Sequence, residues 1–195
     1  MQSKIESKDV SKTEYKLPLS ASQSDWLKEA IRDIPDFPKA GIIFKDLTPL
    51  LKDVVRFKFV IDSMSAKCKE FKPDLIAGIE ARGFLLGPTI AYQLGLGFVP
   101  IRKPGKLPYK TEKLEYALEY GTDCIEIHAD AVSSGQRVIV IDDLLATGGT
   151  ANAALQLIKR VGADVVAIGF MVELGFLEGR QKLPKDATVF SVIDY

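Results

Sequence analysis

Two adjacent carboxylates and a glycine-containing turn follow an unbroken run of Val and Ile. The run ends at Ile141, and Asp142, Asp143 and the turn Ala146-Thr147-Gly148-Gly149-Thr150 come after it. Backbone amides of a glycine turn at a helix N-terminus can converge on an anion, and threonine hydroxyls can add donors. Because strand side chains alternate in direction, at least one carboxylate should face the ligand, where it suits ribose hydroxyls or a hydrated metal ion. No Lys follows the glycines and the spacing is not GxGxxG, so neither common nucleotide-binding loop is present.

Strands and helices alternate along most of the chain, which positions this turn at one edge of a sheet. We expect an α/β fold, with a mostly parallel twisted sheet flanked by helices on both sides. The Val/Ile run indicates a strand buried on both faces. Expected strands cover 75–79, 98–101, 123–128, 137–141, 165–172 and 188–193, and expected helices cover 24–33, 53–70, 83–94 and 150–161.

The chain divides by composition into an extension and one domain. Its 195 residues suit a single α/β domain. Residues 1–23 are rich in Ser and Lys and predict a mobile N-terminal extension, with some order near 15–19. Residues 24–195 form the expected domain. It includes an apolar, Pro- and Gly-rich hood at about 34–46 and a flexible loop at about 103–117, whose length is typical of functional loops.

Composition excludes several classes of protein. Lys+Arg and Asp+Glu each number 26, so the net charge is zero and nonspecific nucleic-acid binding is not expected. No apolar run is long enough for a membrane span, and residues 1–23 lack the apolar core of a secretory signal. Cys68 and Cys124 form no CxxC pair, which favours a reduced, cytoplasmic chain. The sole histidine, His128, rules out a histidine-cluster metal site.

The segment from the Val/Ile run to Thr150 resembles the phosphoribosyl-pyrophosphate (PRPP) motif of type I phosphoribosyltransferases. The resemblance implies that Asp142 and Asp143 contact the ribose 2- and 3-hydroxyls. It also implies that residues 146–150 cradle the 5-phosphate of PRPP.

Other segments are similar to the adenine phosphoribosyltransferases of this family, over about residues 24–195. Residues 35–46 match their hood, 78–84 their pyrophosphate loop, 102–108 the start of their flexible catalytic loop, and Leu118-Glu119-Tyr120-Gly121 its end. Val172-Glu173-Leu174 also fits. This implies a glycosyltransferase of purine salvage that converts adenine and PRPP to AMP and diphosphate. It further implies Mg²⁺ bound with PRPP rather than by protein alone, and a homodimer.

The resemblance also assigns roles to individual residues. Glu119 is the expected catalytic carboxylate, which stabilises positive charge or relays a proton beside the purine. The family usually has a cis peptide bond where this chain has Glu80–Ala81, although its common Asp-Ser pair is replaced here, and Pro104 stands where members often carry a basic residue. Expected pyrophosphate contacts are Glu80, Ala81, Arg82, Gly83, Arg102, Lys103 and Lys106; expected adenine contacts are Ile43, Phe44 and Lys45.

Two alternatives stay open at this point. One is a phosphoribosyltransferase for hypoxanthine, guanine or xanthine, whose 6-oxo group would suit a lysine side chain. The other is a non-catalytic regulator that keeps the PRPP motif and binds nucleic acid. Glu119, the basic loop and the lack of an added helix-turn-helix segment argue against the regulator.

Overall fold

The computed structural model describes residues 15–16, 19–117 and 121–195. No helix in these ranges is long and apolar enough to cross a membrane. Short 3₁₀ turns occupy Gly175–Leu177 and Gly179–Lys182. The strands are β1 (Tyr15–Lys16), β2 (Arg32–Pro35), β3 (Ile43–Asp46), β4 (Leu75–Ile79), β5 (Gly97–Ile101), β6 (Thr111–Ala117), β7 (Thr122–His128), β8 (Arg137–Leu145), β9 (Asp164–Glu173) and β10 (Val189–Asp194). The helices are α1 (Ala21–Lys28), α2 (Thr48–Lys52), α3 (Val54–Glu70), α4 (Gly83–Leu94) and α5 (Gly149–Arg160).

Within the described residues, six strands form a central sheet in the order β1-β10-β9-β8-β4-β5. Every neighbouring pair in it is parallel, which confirms the predicted α/β fold. The central strand β8 is longer than the expected 137–141. Its pairing with β4 stops at Ile141, whereas its pairing with β9 continues to Leu145. Asp142 and Asp143 therefore lie inside β8, along a stretch whose β4 side is open, and not after its end as expected.

Both faces of the sheet are covered, and β8 shows this directly. Ile139 and Ile141 pack into one core with α1 to α4, while Val138 and Val140 pack into the other with α5 and the β6–β7 hairpin. All four side chains are fully buried. The alternation is that of a strand with helices on both sides, as the unbroken Val/Ile run predicts.

The first helix differs from the expected 24–33. It begins after Ser20, whose side chain accepts from the Gln23 amide while the Gln23 side chain accepts from the Ser20 amide. This capping box starts α1 before residue 23, so the expected boundary of the extension falls inside a helix. At the other end, Arg32 and Asp33 pair with β3 and not with the helix. Pairing with the hood strand thus overrides the helical periodicity.

The segment 103–117 is only partly a loop, which corrects the sequence expectation. Its second half is β6, which pairs antiparallel with β7. Leu114 lies opposite Ile125, and both are buried against the core on the α5 side. Leu114 is the one strongly apolar residue in an otherwise polar, alternating run, so the strand depends on a partner elsewhere in the chain. We call β6, β7 and residues 102–110 the lid.

Candidate active site

A polar cavity of about 270 Å³ lies where β8 runs past β4. Asp142 and Asp143 line it from β8, and the following turn curls around it into α5. Arg82 reaches it from the β4–α4 connection and Lys103 from the lid. The cavity brings together these predicted residues: Glu80, Ala81, Arg82, Lys103, Asp142, Asp143, Ala146, Thr147, Gly148, Gly149 and Thr150. Gly83, Arg102, Lys106 and the predicted adenine contacts do not line it.

The turn before α5 is shaped by close backbone contacts. Gly148 has a φ of 79°, a left-handed conformation that favours glycine. A Cβ on Gly148 would collide with the carbonyl oxygen of Gly179, and a Cβ on Gly179 would collide with the carbonyl of Ala146. Two backbone segments about thirty residues apart therefore touch directly, and the second supports the turn from behind. The sequence analysis did not identify Gly179. Its only indication in the sequence is a Gly-Arg pair that follows β9.

The segment behind the turn is held by an ion pair to a buried carboxylate. Arg180 donates from Nε and Nη2 to the carboxylate of Glu173, at 2.5 and 2.6 Å. Ser191 donates to the same carboxylate at 2.8 Å. Glu173 is buried at the end of β9, so the residue next to Gly179 is anchored to the central sheet. Such bidentate pairs fix geometry as well as charge.

Burial and the nearby Arg82 shift the pKa values of the adjacent aspartates in opposite directions. Burial raises the pKa of both carboxyl groups, and the charge of Asp143 raises that of Asp142 further. Arg82 opposes the increase at Asp143, because its Nε lies 2.7 Å from Oδ2. Asp143 Oδ2 is buried beside this guanidinium and has no hydrogen-bond partner among the described residues. The ion pair therefore fixes the Asp143 carboxylate next to the pyrophosphate loop.

The pyrophosphate loop lies against the aspartate-bearing strand. The Glu80–Ala81 peptide bond is cis, as the resemblance implied. A Cβ on Gly83 would come within 2.8 Å of the Ile141 carbonyl oxygen and 3.1 Å of Asp142 Oδ1. Only glycine fits there without a shift, so Gly83 sets how close this loop can approach β8.

Three predicted pyrophosphate contacts from the lid meet on Glu80, itself a predicted contact, in this structure. Arg102 donates to Glu80 from Nε and Nη2 at 3.2 and 3.1 Å, Lys106 from Nζ at 2.6 Å and Lys103 from its backbone amide at 3.0 Å. The Arg102 hydrogen bond, with those of Lys106 and Lys103, lowers the pKa of Glu80 to about 2. The Glu80 side chain is thus a counter-ion for Arg102 and Lys106.

The hood comes close to the cavity at Phe44, which contacts the cavity residue Arg82. Its ring lies 5.7 Å from the Arg82 guanidinium carbon and 5.1 Å from the Phe37 ring. Phe37 is half exposed and Ile43 is 57% exposed, so these residues are not core positions. Lys45 turns the other way, with Nζ 2.6 Å from Asp33 and 4.1 Å from the centre of the Tyr195 ring. Phe44 and Arg82 consequently join the predicted adenine and pyrophosphate regions.

The predicted catalytic residue, Glu119, lies outside the described residues. Chain connectivity places it between the end of β6 at Ala117 and the start of β7 at Thr122. Glu115, the nearest earlier carboxylate, pairs across the hairpin with Cys124 and is exposed.

Comparison with known proteins agrees with this site. A family model described as the phosphoribosyl transferase domain matches residues 50–194. The adenine phosphoribosyltransferase of Nostoc punctiforme is 53% identical over 171 residues, covering 87% of this chain and 99% of its own. The crystal structure of the Thermoanaerobacter pseudethanolicus adenine phosphoribosyltransferase is 54% identical with a TM-score of 0.84, covering 88% of this chain and 99% of its own.

A Saccharomyces cerevisiae adenine phosphoribosyltransferase, solved with adenine and an imino-altritol bisphosphate, is 44% identical with a TM-score of 0.83. It covers 88% of this chain and 99% of its own. The chain therefore belongs to the adenine phosphoribosyltransferases, pentosyltransferase enzymes of purine salvage within the phosphoribosyl transferase domain family.

Proposed function

We propose that the cavity binds PRPP with its ribose on Asp142 and Asp143, and that adenine bound under the hood displaces diphosphate to give AMP. The observation that carries this proposal is the meeting, in one cavity, of the paired aspartates, the 146–150 turn and Arg82. Each offers the chemistry that one part of PRPP requires: hydroxyl acceptors, amide donors for a phosphate, and a cation for diphosphate.

The 5-phosphate is assigned to the turn 146–150. Its amides lie at the N-terminus of α5, where the helix dipole favours an anion. The ribose hydroxyls are assigned to Asp142 and Asp143 because a carboxylate can accept two hydrogen bonds at once. Both carboxylates line the cavity, which supports this assignment.

The diphosphate is assigned to the 80–83 loop and to Arg102, Lys103 and Lys106. Arg82 stands beside the aspartates, Arg102 and Lys106 pair with Glu80, and the Lys103 ammonium pairs with Asp123. A diphosphate carries more charge than one carboxylate, so it can draw the lid cations from these carboxylates when PRPP enters. Loss of that anion on product release would return them.

Adenine is assigned to Ile43, Phe44 and Lys45. The Phe44 ring can stack on the purine, and the main-chain groups of its neighbours can pair with the amino group and ring nitrogen N1. Glu119 is proposed to stabilise the positive charge that develops at the ribose and to accept or relay the N9 proton.

Mg²⁺ is proposed to bind together with PRPP. The residues present fit a shared ion: Asp142 and Asp143 supply the oxygen ligands that Mg²⁺ prefers, but two carboxylates fall short of its octahedral set. When bound, the ion would neutralise charge on the leaving diphosphate. Activity should vanish on chelation and return with Mg²⁺. Calorimetry should detect Mg²⁺ binding only when PRPP is present, and a metal retained after chelation would contradict this.

The chain is also proposed to act as a cytoplasmic homodimer. Leu85 and Tyr92, seven residues apart on one face of α4, are 48% and 90% exposed. An apolar face of this kind is typical of an interface. Both cysteines are free thiols, in keeping with a reducing compartment. Sedimentation as an active monomer at micromolar concentration would overturn the dimer.

The direct test is turnover of adenine and of hypoxanthine with PRPP and Mg²⁺ under matched conditions. We expect AMP and diphosphate from adenine and far slower use of hypoxanthine. Preference for hypoxanthine would mean that the base site is not specific for adenine. No turnover of either base would favour the alternative of a non-catalytic regulator.

A further inference from the structure

A chain of polar side chains connects the lid to the turn 146–150. The Tyr116 hydroxyl lies 3.0 Å from Thr150 Oγ1 and 3.0 Å from Asp123 Oδ2. Lys103 Nζ pairs with the same Asp123 oxygen. Tyr116 and Asp123 are opposite each other at the outer end of the hairpin. Thr150 is the second residue of α5, so the chain runs from the lid into the proposed 5-phosphate cradle.

The direction of each hydrogen bond between Asp123, Tyr116 and Thr150 follows from the protons that these side chains carry. Although burial acts to raise the pKa of Asp123, Lys103 and the Cys124 amide hold it below its ordinary value, so the group is a carboxylate that only accepts. Burial raises the pKa of Tyr116, which keeps its phenol proton. That single proton goes to Asp123. The Thr150 hydroxyl must therefore donate to Tyr116 in this state.

A phosphate in the cradle would change this arrangement. Phosphate oxygens accept from the hydroxyls around them, and Thr150 has only one proton to give. If that proton turns to the phosphate, Tyr116 keeps its contact with Thr150 only by donating in its turn. The contact then reverses direction, and Asp123 retains the Cys124 amide as a donor.

We propose that Tyr116 is a positioning residue that couples 5-phosphate binding to the lid through Thr150. The inference rests on the proposed cradle role of residues 146–150. Tyr116 stands three residues before Glu119, so its contact with α5 sets where the chain that carries Glu119 leaves β6. Binding of the 5-phosphate in the cradle thereby positions the lid for the chemical step.

The hairpin does not depend on this hydroxyl for its folding. Leu114 is buried in the core beside α5. Arg160, at the end of α5, donates to the Lys113 carbonyl at 2.8 Å. These contacts hold β6 on α5 independently of Tyr116, and a phenylalanine would keep the ring. Loss of the hydroxyl should therefore affect catalysis and leave stability unchanged.

The test is a double-mutant cycle of Tyr116→Phe and Thr150→Val, with kcat, both KM values and thermal unfolding measured. Tyr116→Phe should lower kcat roughly five- to tenfold, the effect of one hydrogen bond, with KM for PRPP within about twofold. Thr150→Val should lower kcat by a similar factor and also raise KM for PRPP. The double variant should have a kcat no lower than the worse single variant, because both changes break one contact.

Matched controls define the other outcomes. Tyr109→Phe removes a hydroxyl from an exposed lid residue and should behave as wild type. Thr150→Ser restores the hydroxyl and should restore kcat, and Thr150→Ala replaces the valine variant if that one does not fold. Wild-type kcat in Tyr116→Phe, multiplicative losses in the double variant, or a lowered unfolding midpoint in Tyr116→Phe would each overturn the proposal. An unchanged KM for PRPP in Thr150→Val would instead remove the cradle assignment.

Discussion

The turn 146–150 and the lid both carry groups for anionic parts of the substrate, but they are built differently. The turn is backbone, placed by the central strand β8 and supported by Gly179 at main-chain contact. The lid is a hairpin outside the central sheet, and its groups are long side chains held by carboxylates: Glu80, in the pyrophosphate loop, holds Arg102 and Lys106.

Because of this difference, we expect the turn and the lid to affect different kinetic parameters. A cradle of backbone amides needs no rearrangement to receive a phosphate, so it contributes to binding in the ground state. Cations that already have a counter-ion must exchange it for substrate, so their contribution depends on the state of the lid. Changes in the turn should therefore alter KM for PRPP, and changes in the lid should alter kcat.

The largest effect is expected in the lid, for Glu119→Gln. A carboxylate that meets positive charge only as the glycosidic bond breaks contributes to the transition state and little to substrate binding. We expect kcat to fall by about 10²–10⁴-fold, the usual range for such a group, with both KM values within a few-fold. Glu115→Gln is the matched control, and single-turnover measurement of both variants decides. If kcat falls in Glu115→Gln and not in Glu119→Gln, the catalytic carboxylate has been assigned wrongly.

Gly179→Ala should give the next largest effect, now on the cradle. Its Cβ would collide with the Ala146 carbonyl and push the turn into the cavity. Overpacking typically costs about 1–3 kcal/mol, so KM for PRPP should rise roughly ten- to a hundredfold while KM for adenine stays within a few-fold. Gly135→Ala is a control for general destabilisation, because it strains the backbone at a φ of 76° where nothing lies near the added Cβ. Equal losses in both variants would mean that general destabilisation, and not contact with the turn, is responsible.

Asp142→Asn and Asp143→Asn should weaken PRPP use about ten- to a hundredfold, since a charged hydrogen bond is typically worth ~1.5–3 kcal/mol. Adenine binding should change far less, because neither residue contacts the hood. Asp186→Asn, at a side chain 80% exposed, is the control. Wild-type kinetics of both variants at limiting PRPP would disprove the assignment of ribose to these aspartates.

The smallest effect concerns pH, at Glu80. Its pKa is lowered from 4.5 to about 2, so the stability that the ionised group contributes is fully present above pH 4.5 and is lost as pH falls toward 2. The difference in unfolding midpoint between wild type and Glu80→Gln should be constant from pH 5 to 7 and shrink below pH 4.5. A difference that stays constant down to pH 3 would mean that the lid cations do not depend on this charge.

Much of the fold could be read from local pattern. The helices 53–70 and 83–94 and the strand 75–79 were predicted within a residue of α3, α4 and β4. Their periodicities are strong, and the helix ends coincide with Asp53, which caps α3, and Gly95, which closes α4 in a left-handed conformation. The hood and the lid were less predictable, because β2, β3 and β6 have weak patterns of their own and depend on their pairing partners.

By itself the sequence determined the chemistry at the centre of the site. The Val/Ile run, the paired aspartates and the glycine turn lie within thirteen consecutive residues, so strand, cradle and carboxylates follow from local rules. Only the tertiary structure decided what surrounds them: Gly179 behind the turn, Glu80 beneath the lid cations, and Tyr116 on Thr150. These contacts join residues far apart in the chain, and no local periodicity encodes which distant backbone or side chain will meet another.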